Sequence, residues 1–195
     1  MVLLTVGIIG HRPNRLPPGA DKAIAAALSD VLGVLASCAG ASRQELDIRV
    51  ATSLAEGADR LGAWSCLARS AKLVVILPFP AAEFEKDFTS TASLEEFRSL
   101  LAAASWLVEL PWDAHSTAVR ADAYRQASVL LLDTIDVLVA VWDGLPARGQ
   151  GGTAETIADA CSRNIPVIVV DAKGVAPLRL IRSGCDRIPL KNTVG

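Results

Sequence analysis

The sequence predicts a single doubly wound, Rossmann-like α/β domain with a mainly parallel sheet. Three observations carry that prediction. Short apolar runs alternate with longer stretches whose apolar residues recur at helical spacing. The runs are apolar at successive positions, as strands covered on both faces are, with no clean in-out alternation. The length, 195 residues, suits about one domain on a prior of roughly 150 residues each. The expected core spans 2–171, and 172–195 is less regular.

Taken in order, residues 3–9 read as a first strand closed by Gly10, and 21–38 as a helix carrying Ile24, Leu28, Val31, Leu32 and Leu35. Residues 48–53 form a second strand. Residues 56–70 form a second helix, with Leu61, Trp64 and Ala68 on one stripe. Residues 73–77 are a third strand, stopped by Pro78 and Pro80. The charged stretch 81–105 reads as one or two exposed helices, followed by a short strand at 106–110. Helix 119–132, strand 136–141, a glycine loop at 149–152, helix 153–163 and strand 166–170 complete the alternation. The remainder has little periodicity and reads as a loop with a small terminal strand. No linker, repeat or low-complexity tract interrupts the pattern.

Composition excludes several classes. The chain is 51% hydrophobic and 21% charged, which rules out disorder. No apolar run reaches the ~18 residues of a membrane span, and the N-terminus lacks a basic lead and reads as a strand rather than a signal peptide. Cys38, Cys66, Cys161 and Cys185 are scattered and form no CxxC, so they read as reduced, core-filling residues of a cytoplasmic protein. Two histidines, His11 and His115, and no zinc-type spacing leave no metal site, and no cofactor is expected. His115 reads as solvent-facing. The net charge of −2 gives no basic field, so nucleic acid is not an expected partner. The four tryptophans, Trp64, Trp106, Trp112 and Trp142, read as core or as interface.

In a doubly wound sheet, ligands bind beyond the carboxyl ends of the strands at the switch point. The polar and glycine residues concentrate there. After strand one come Gly10, His11 and Arg12, with Arg12 able to pair with phosphate or to sit in a solvated turn. After strand two come Ser53, Glu56 and Gly57; Ser53 and Glu56 read equally as cap and first-turn carboxylate or as ligand contacts. Asp143 follows Trp142 and suits ribose hydroxyls. Gly151, Gly152 and Thr153 open a helix whose free amides favour an anion, with an ordinary N-cap as the alternative. Glu155 lies in the first turn of that helix. Tyr124 either stacks on a base or packs at a helix end. There is no Gly-Lys-Ser/Thr phosphate loop and no Gly-x-Ser-x-Gly elbow.

Three stretches together resemble the SLOG superfamily, which includes the LOG phosphoribohydrolases, the DNA-processing protein A family and the TRPM-channel sensor domains. They are Val6-Gly7-Ile8-Ile9-Gly10-His11-Arg12, Thr52-Ser53-Leu54-Ala55-Glu56-Gly57-Ala58-Asp59, and the glycine loop through Glu155. The second is similar to the Ser-Gly-x-Ala-x-Gly-x-Asp segment of the DNA-processing proteins. The third is similar to the Gly-Gly-x-Gly-Thr-x-x-Glu signature of the LOG enzymes. The resemblance is greatest to the prokaryotic TRPM-associated branch and implies a domain that senses or processes a nucleotide-derived ligand. It also implies a homo-oligomer, a dimer or higher. One departure weighs against LOG-type hydrolysis. Three residues after the signature threonine this chain has Thr156, and the nearest acid, Glu155, is one position early, a rotation of about 100° on a helix.

The expected function is therefore binding of a phosphorylated nucleotide derivative. Its phosphate would lie on Gly151, Gly152 and Thr153, with Arg12 as counter-charge and Asp143 or Glu155 holding sugar hydroxyls. The alternative is N-glycosidic cleavage of a nucleoside 5′-monophosphate, with Glu155, then Glu56, as the stabilising carboxylate. The third reading is a single-stranded-DNA-binding protein of the DNA-processing type.

Overall fold

A computed structural model describes residues 2–40, 46–112, 120–146, 152–182 and 185–189. The first half alternates strand and helix: β1 (Val2–Gly10), α1 (Asp21–Gly40), β2 (Leu46–Thr52), α2 (Ala58–Ala68) and β3 (Lys72–Leu77). A single turn α3 (Ala81–Phe84) and α4 (Thr91–Ala102) lead to β4 (Trp106–Glu109). Then come α5 (Arg120–Thr134), β5 (Val137–Trp142), α6 (Thr153–Ser162), β6 (Val167–Asp171), β7 (Arg179–Arg182) and β8 (Cys185–Pro189).

Among the described residues the strands form one sheet in the order β4-β3-β2-β1-β5-β6-β7-β8. The pairs from β4 through β6 are parallel. The chain steps outward from β1 to β4, then crosses back through α5 to lay β5 against the other side of β1. That reversal makes the β1–β5 junction the switch point, where a doubly wound sheet opens a crevice.

Side-chain alternation sorts the core into two layers. Val137, Val139 and Val141 face one side, with Val6, Ile8, Leu73 and Val75. Helix α1 covers that side with Ile24, Leu28, Val31 and Leu32, α2 with Ala63 and Cys66, and α4 with Phe97 and Leu100. Leu138 and Ala140 face the other side, under Leu131 and Leu132 of α5 and Ile157 and Ala160 of α6. Each large aliphatic side chain so buried contributes about 1.5–3 kcal/mol. Burial also pushes the Cys66 thiol up to about 11, so that it behaves as a core residue. Cys161 is half-buried, and the side chains of Cys38 and Cys185 lie outside those described.

Three differences from the sequence reading have physical causes. Helix α2 begins at Ala58, two residues after Glu56, because Gly57 precedes it at φ +92°. A side chain at Gly57 would also meet the His11 carbonyl at 2.5 Å, so the turn needs glycine twice over. The stretch 81–105 is less exposed than its charges suggest. Phe84, Phe97 and Leu100 are fully buried, and Phe84 packs edge-on against Phe88 and Phe97 at 5.2 and 5.7 Å. The tail supplies two strands rather than one. β7 runs antiparallel to β6 and β8 antiparallel to β7, extending the same sheet. Mixed charged and apolar residues in Arg179–Arg182 and Cys185–Pro189 hide the strand signal.

Candidate functional site

Beyond the carboxyl ends of β1 and β2 lies a cavity of about 280 Å³, near the low end of small-ligand clefts. Its walls come from several places. The turn after β1 supplies Gly10, His11, Arg12, Asn14 and Arg15. The turn before α2 supplies Ser53 and Ala55, and the first turn of α2 supplies Asp59. Helix α5 contributes Tyr124 and Ser128, and the start of α6 contributes Gly152, Thr153 and Thr156. Gly10 permits this convergence: a Cβ there would lie 2.5 Å from the Ala58 Cβ and 2.7 Å from the Val141 Cβ.

The end of β1 is tied to the end of β5. His11 is buried, and its amide donates to the Val141 carbonyl at 3.2 Å. Its Nε2 lies 2.9 Å from Oδ1 of Asp143, and its Nδ1 lies 3.5 Å from the Thr153 hydroxyl. The Asp143 amide also donates to Nε2 at 3.2 Å, so that nitrogen faces a donor and an acceptor of the same residue, and the tautomer sets its role and that of Nδ1 toward Thr153. Arg15 Nη2 donates to both Asp143 oxygens, at 3.0 and 2.7 Å. Partial burial alone would raise the Asp143 carboxyl. The bonds from His11, the Leu145 amide and Arg15 overcome it and hold the group well below the usual carboxylate range.

The β2–α2 turn presents the opposite case. Leu54 is buried at φ 57°, a left-handed conformation costly for leucine. Arg60 Nε donates to its carbonyl at 3.1 Å. Asp59 is 94% buried, its solvent exposure being 6%. The Ala55 amide donates to Oδ2 at 3.4 Å. Burial pushes this carboxyl up to about 6, against the lowering pull of the Ala55 amide, the Thr52 hydroxyl, the Arg12 guanidinium and the Gly10 amide.

Helix α6 starts on Gly152 in an extended conformation, with no side-chain cap. Gly152 and Thr153 line the cavity, so the positive end of the helix dipole borders it. Gly149, Gln150 and Gly151 lie outside the described residues, and with them most of the expected glycine loop, as does His115.

The structure thus gathers Gly10, His11, Arg12, Ser53, Tyr124, Gly152 and Thr153 around one cavity. Gly57 shapes it from behind. Three expectations differ. Asp143 does not line the cavity; its carboxylate is taken up by His11 and Arg15 rather than offered to a ribose. The Glu56 carboxylate turns to α4 and accepts from the Ser93 hydroxyl. Glu155 stands off the cavity wall, where Thr156 takes its place one residue on, as the helical rotation requires. Tyr124 lies edge-on to Phe79 at 5.3 Å and donates to Asp87. Arg12 Nη2 donates to the Tyr124 oxygen at 3.3 Å and lies 3.7 Å from Asp87, so it reaches the cavity with a counter-charge already beside it.

Sequence reasoning missed five polar residues of the cavity wall, among them Ser128 and Thr156 on the faces of α5 and α6. Asp59 stood in the second motif but read as its end. Arg15 and Asn14 stood just past Pro13, in the 3-10 turn Pro13–Arg15, and carried no periodic signal. Among the described residues, no group of three His, Cys, Asp or Glu side chains is placed to hold a metal, and no helix is long and apolar enough to cross a membrane.

No protein-family profile matches the chain, and no curated protein does. Solved structures do. DNA processing protein A from Helicobacter pylori is similar at 17% identity with a TM-score of 0.54, covering 88% of this chain and 69% of that one. DNA processing protein A from Streptococcus pneumoniae is similar at 10% identity with a TM-score of 0.53, covering 86% of this chain. This chain spans half the length of the streptococcal protein. A structural-genomics target designated TM1055 is similar at 19% identity, with 86% and 72% covered, but reaches only 0.47. The first two show a fold shared with DNA processing protein A, which is the coarser part of the sequence resemblance. Nothing in them singles out a TRPM-associated branch. The Helicobacter pylori protein was solved for its single-stranded DNA binding mode.

Proposed function

We propose that the cavity at the β1–β5 switch point binds a phosphorylated nucleotide derivative and that the protein acts as a ligand-sensing domain. The observation that carries this is the uncapped start of α6, Gly152 and Thr153, opening onto the same cavity as Arg12 and Arg15. Helix amides and guanidinium groups together are the usual means of holding phosphate. The cavity's volume suits a sugar phosphate, with any base or second phosphate extending outward. Calorimetric titration with ADP-ribose, NAD and nucleoside monophosphates tests it. At least one should bind, and Thr153→Val should weaken that binding about tenfold, as for one lost hydrogen bond. No heat from any of them up to millimolar concentration would contradict the reading.

An N-glycosidic hydrolase is the alternative. The cavity-facing position on α6 is Thr156, not a carboxylate, which favours sensing over cleavage. Release of free base from AMP, stopped by Glu155→Gln, would reverse that preference. Single-stranded DNA binding is the third reading, favoured by the Helicobacter pylori likeness. A gel shift at moderate salt decides it.

Homo-oligomer formation belongs to the same proposal. Edge strand β4 exposes Trp106, Leu107 and Val108 together, an unusual run for an edge. Light scattering should show a dimer or higher that Trp106→Glu disperses. A wild-type monomer at tens of micromolar would contradict it.

A further inference from the structure

We propose that Asp59 reads the sugar of the bound ligand through its vicinal hydroxyls, so that the cavity takes ribosyl phosphates in preference to deoxyribosyl ones. The inference rests on the cavity being a phosphate-ester site. It specifies which ester.

Asp59 is the one carboxylate among the described residues of the cavity wall. A buried carboxylate beside an anion site is repelled by the ligand unless donors stand between them. The ligand must therefore bring hydroxyl or amine donors to that place. An ionised carboxylate accepts at roughly four positions. The Ala55 amide takes one of them weakly, at 3.4 Å, and the Thr52 hydroxyl and the Gly10 amide also bear on the group, so a ligand would share the carboxylate with these protein donors. A pair of adjacent sugar hydroxyls matches the two oxygens of one carboxylate, and neither inorganic phosphate nor a bare phosphodiester does.

The rest of the wall agrees. Asn14, Ser53, Ser128 and Thr156 also line the cavity. These neutral groups both donate and accept, as a hydroxyl-rich ligand requires. The backbone holds Asp59 firmly. Gly57 fixes the entry to α2 through its φ of +92°, and Arg60, one residue on, anchors the turn through the Leu54 carbonyl. Asp59 is thus presented by a rigid turn, which suits selection between ligands. Its burial, which pushes the carboxyl up to about 6, still leaves it mostly ionised at neutral pH.

The test is calorimetry with AMP, 2′-deoxy-AMP, 3′-deoxy-AMP and inorganic phosphate, on the wild-type protein, Asp59→Ala and Asp59→Asn. Folding of each variant is checked by circular dichroism. The wild type should bind AMP about tenfold or more tighter than either deoxy analogue, one hydroxyl–carboxylate hydrogen bond. Asp59→Ala should bring AMP down to the deoxy analogues while inorganic phosphate binds as well or better. Asp59→Asn, which still accepts through its amide oxygen, should fall between. A residue that only shaped the turn would weaken all four ligands alike, and that result would overturn the proposal. So would equal wild-type affinity for AMP and both deoxy analogues. Binding of phosphate without sugar discrimination removes this inference and leaves the phosphate site standing. Failure of all four ligands removes both.

Discussion

Two carboxylates stand beyond the ends of β2 and β5, the two strands that flank β1, and meet opposite surroundings. Asp143, after β5, accepts from Arg15 and lies against His11, and is held well below the usual carboxylate range. Asp59, just after β2, opens onto the cavity with a long bond from the Ala55 amide, and burial pushes it up to about 6 against the pull of that amide, the Thr52 hydroxyl, Arg12 and the Gly10 amide. The first is the profile of a group that builds the fold. The second is that of a group the fold tolerates at a cost, the usual mark of a site. The turns differ likewise. The β5 end is closed by reciprocal contacts, while the β2–α2 turn keeps Leu54 in a left-handed conformation and Gly57 against the His11 carbonyl.

The contrast gives opposite signs in stability, and the largest effect is expected at Asp59. Its carboxyl moves from 3.8 to about 6 on folding, a penalty of up to about 3 kcal/mol. The folded protein binds the extra proton, so stability should fall as pH rises from about 4 to about 6, and the cost is fully present above that. Asp59→Asn should abolish this fall and raise stability at neutral pH, as read by urea denaturation at pH 4 to 7. An unchanged pH slope in the variant would erase the difference between the two carboxylates.

Asp143 should behave the other way. Its contribution is present above its ordinary titration range and is lost as pH falls through the acid range below 4. Asp143→Ala leaves Arg15 and His11 without their acceptor and should cost about 2 kcal/mol, with the loss visible at neutral pH. Tyr124→Phe sharpens the picture on the far side of the cavity. It removes the hydroxyl that donates to Asp87 and accepts from Arg12, and should cost about 1 kcal/mol in thermal unfolding. The smallest effects are expected at the two glutamates that stand off the cavity. Glu56→Gln keeps an acceptor for Ser93 and, like Glu155→Gln, should leave nucleotide affinity within about twofold and stability within ~0.5 kcal/mol. A tenfold loss at either would return that glutamate to the site.

The strands along the chain were largely legible, because both-face burial writes apolar runs into β1, β3, β5 and β6; their order in the sheet was not. The hairpin β7–β8 was not, since Arg-Leu-Ile-Arg and Cys-Asp-Arg-Ile-Pro carry neither an apolar run nor a strict alternation. In the site, glycines and the Gly152-Thr153 helix start could be read from local chemistry. Which carboxylate faces the cavity could not. Asp143, Glu56, Glu155 and Asp59 all follow strand ends or open helices, and only tertiary partners on Arg15, His11 and Ser93 separate them. Tyr124 shows the same limit, because its partner Asp87 lies 37 residues away.

The most direct test is an amide NMR titration of the protein with AMP and ADP-ribose. Binding at the switch point predicts shifts concentrated at Gly10 to Arg15, Ser53 to Asp59 and Gly152 to Thr156, with the amides of Gly152 and Thr153 moving most. Shifts confined to other elements, or none at millimolar ligand, would contradict a phosphate seated at the start of α6.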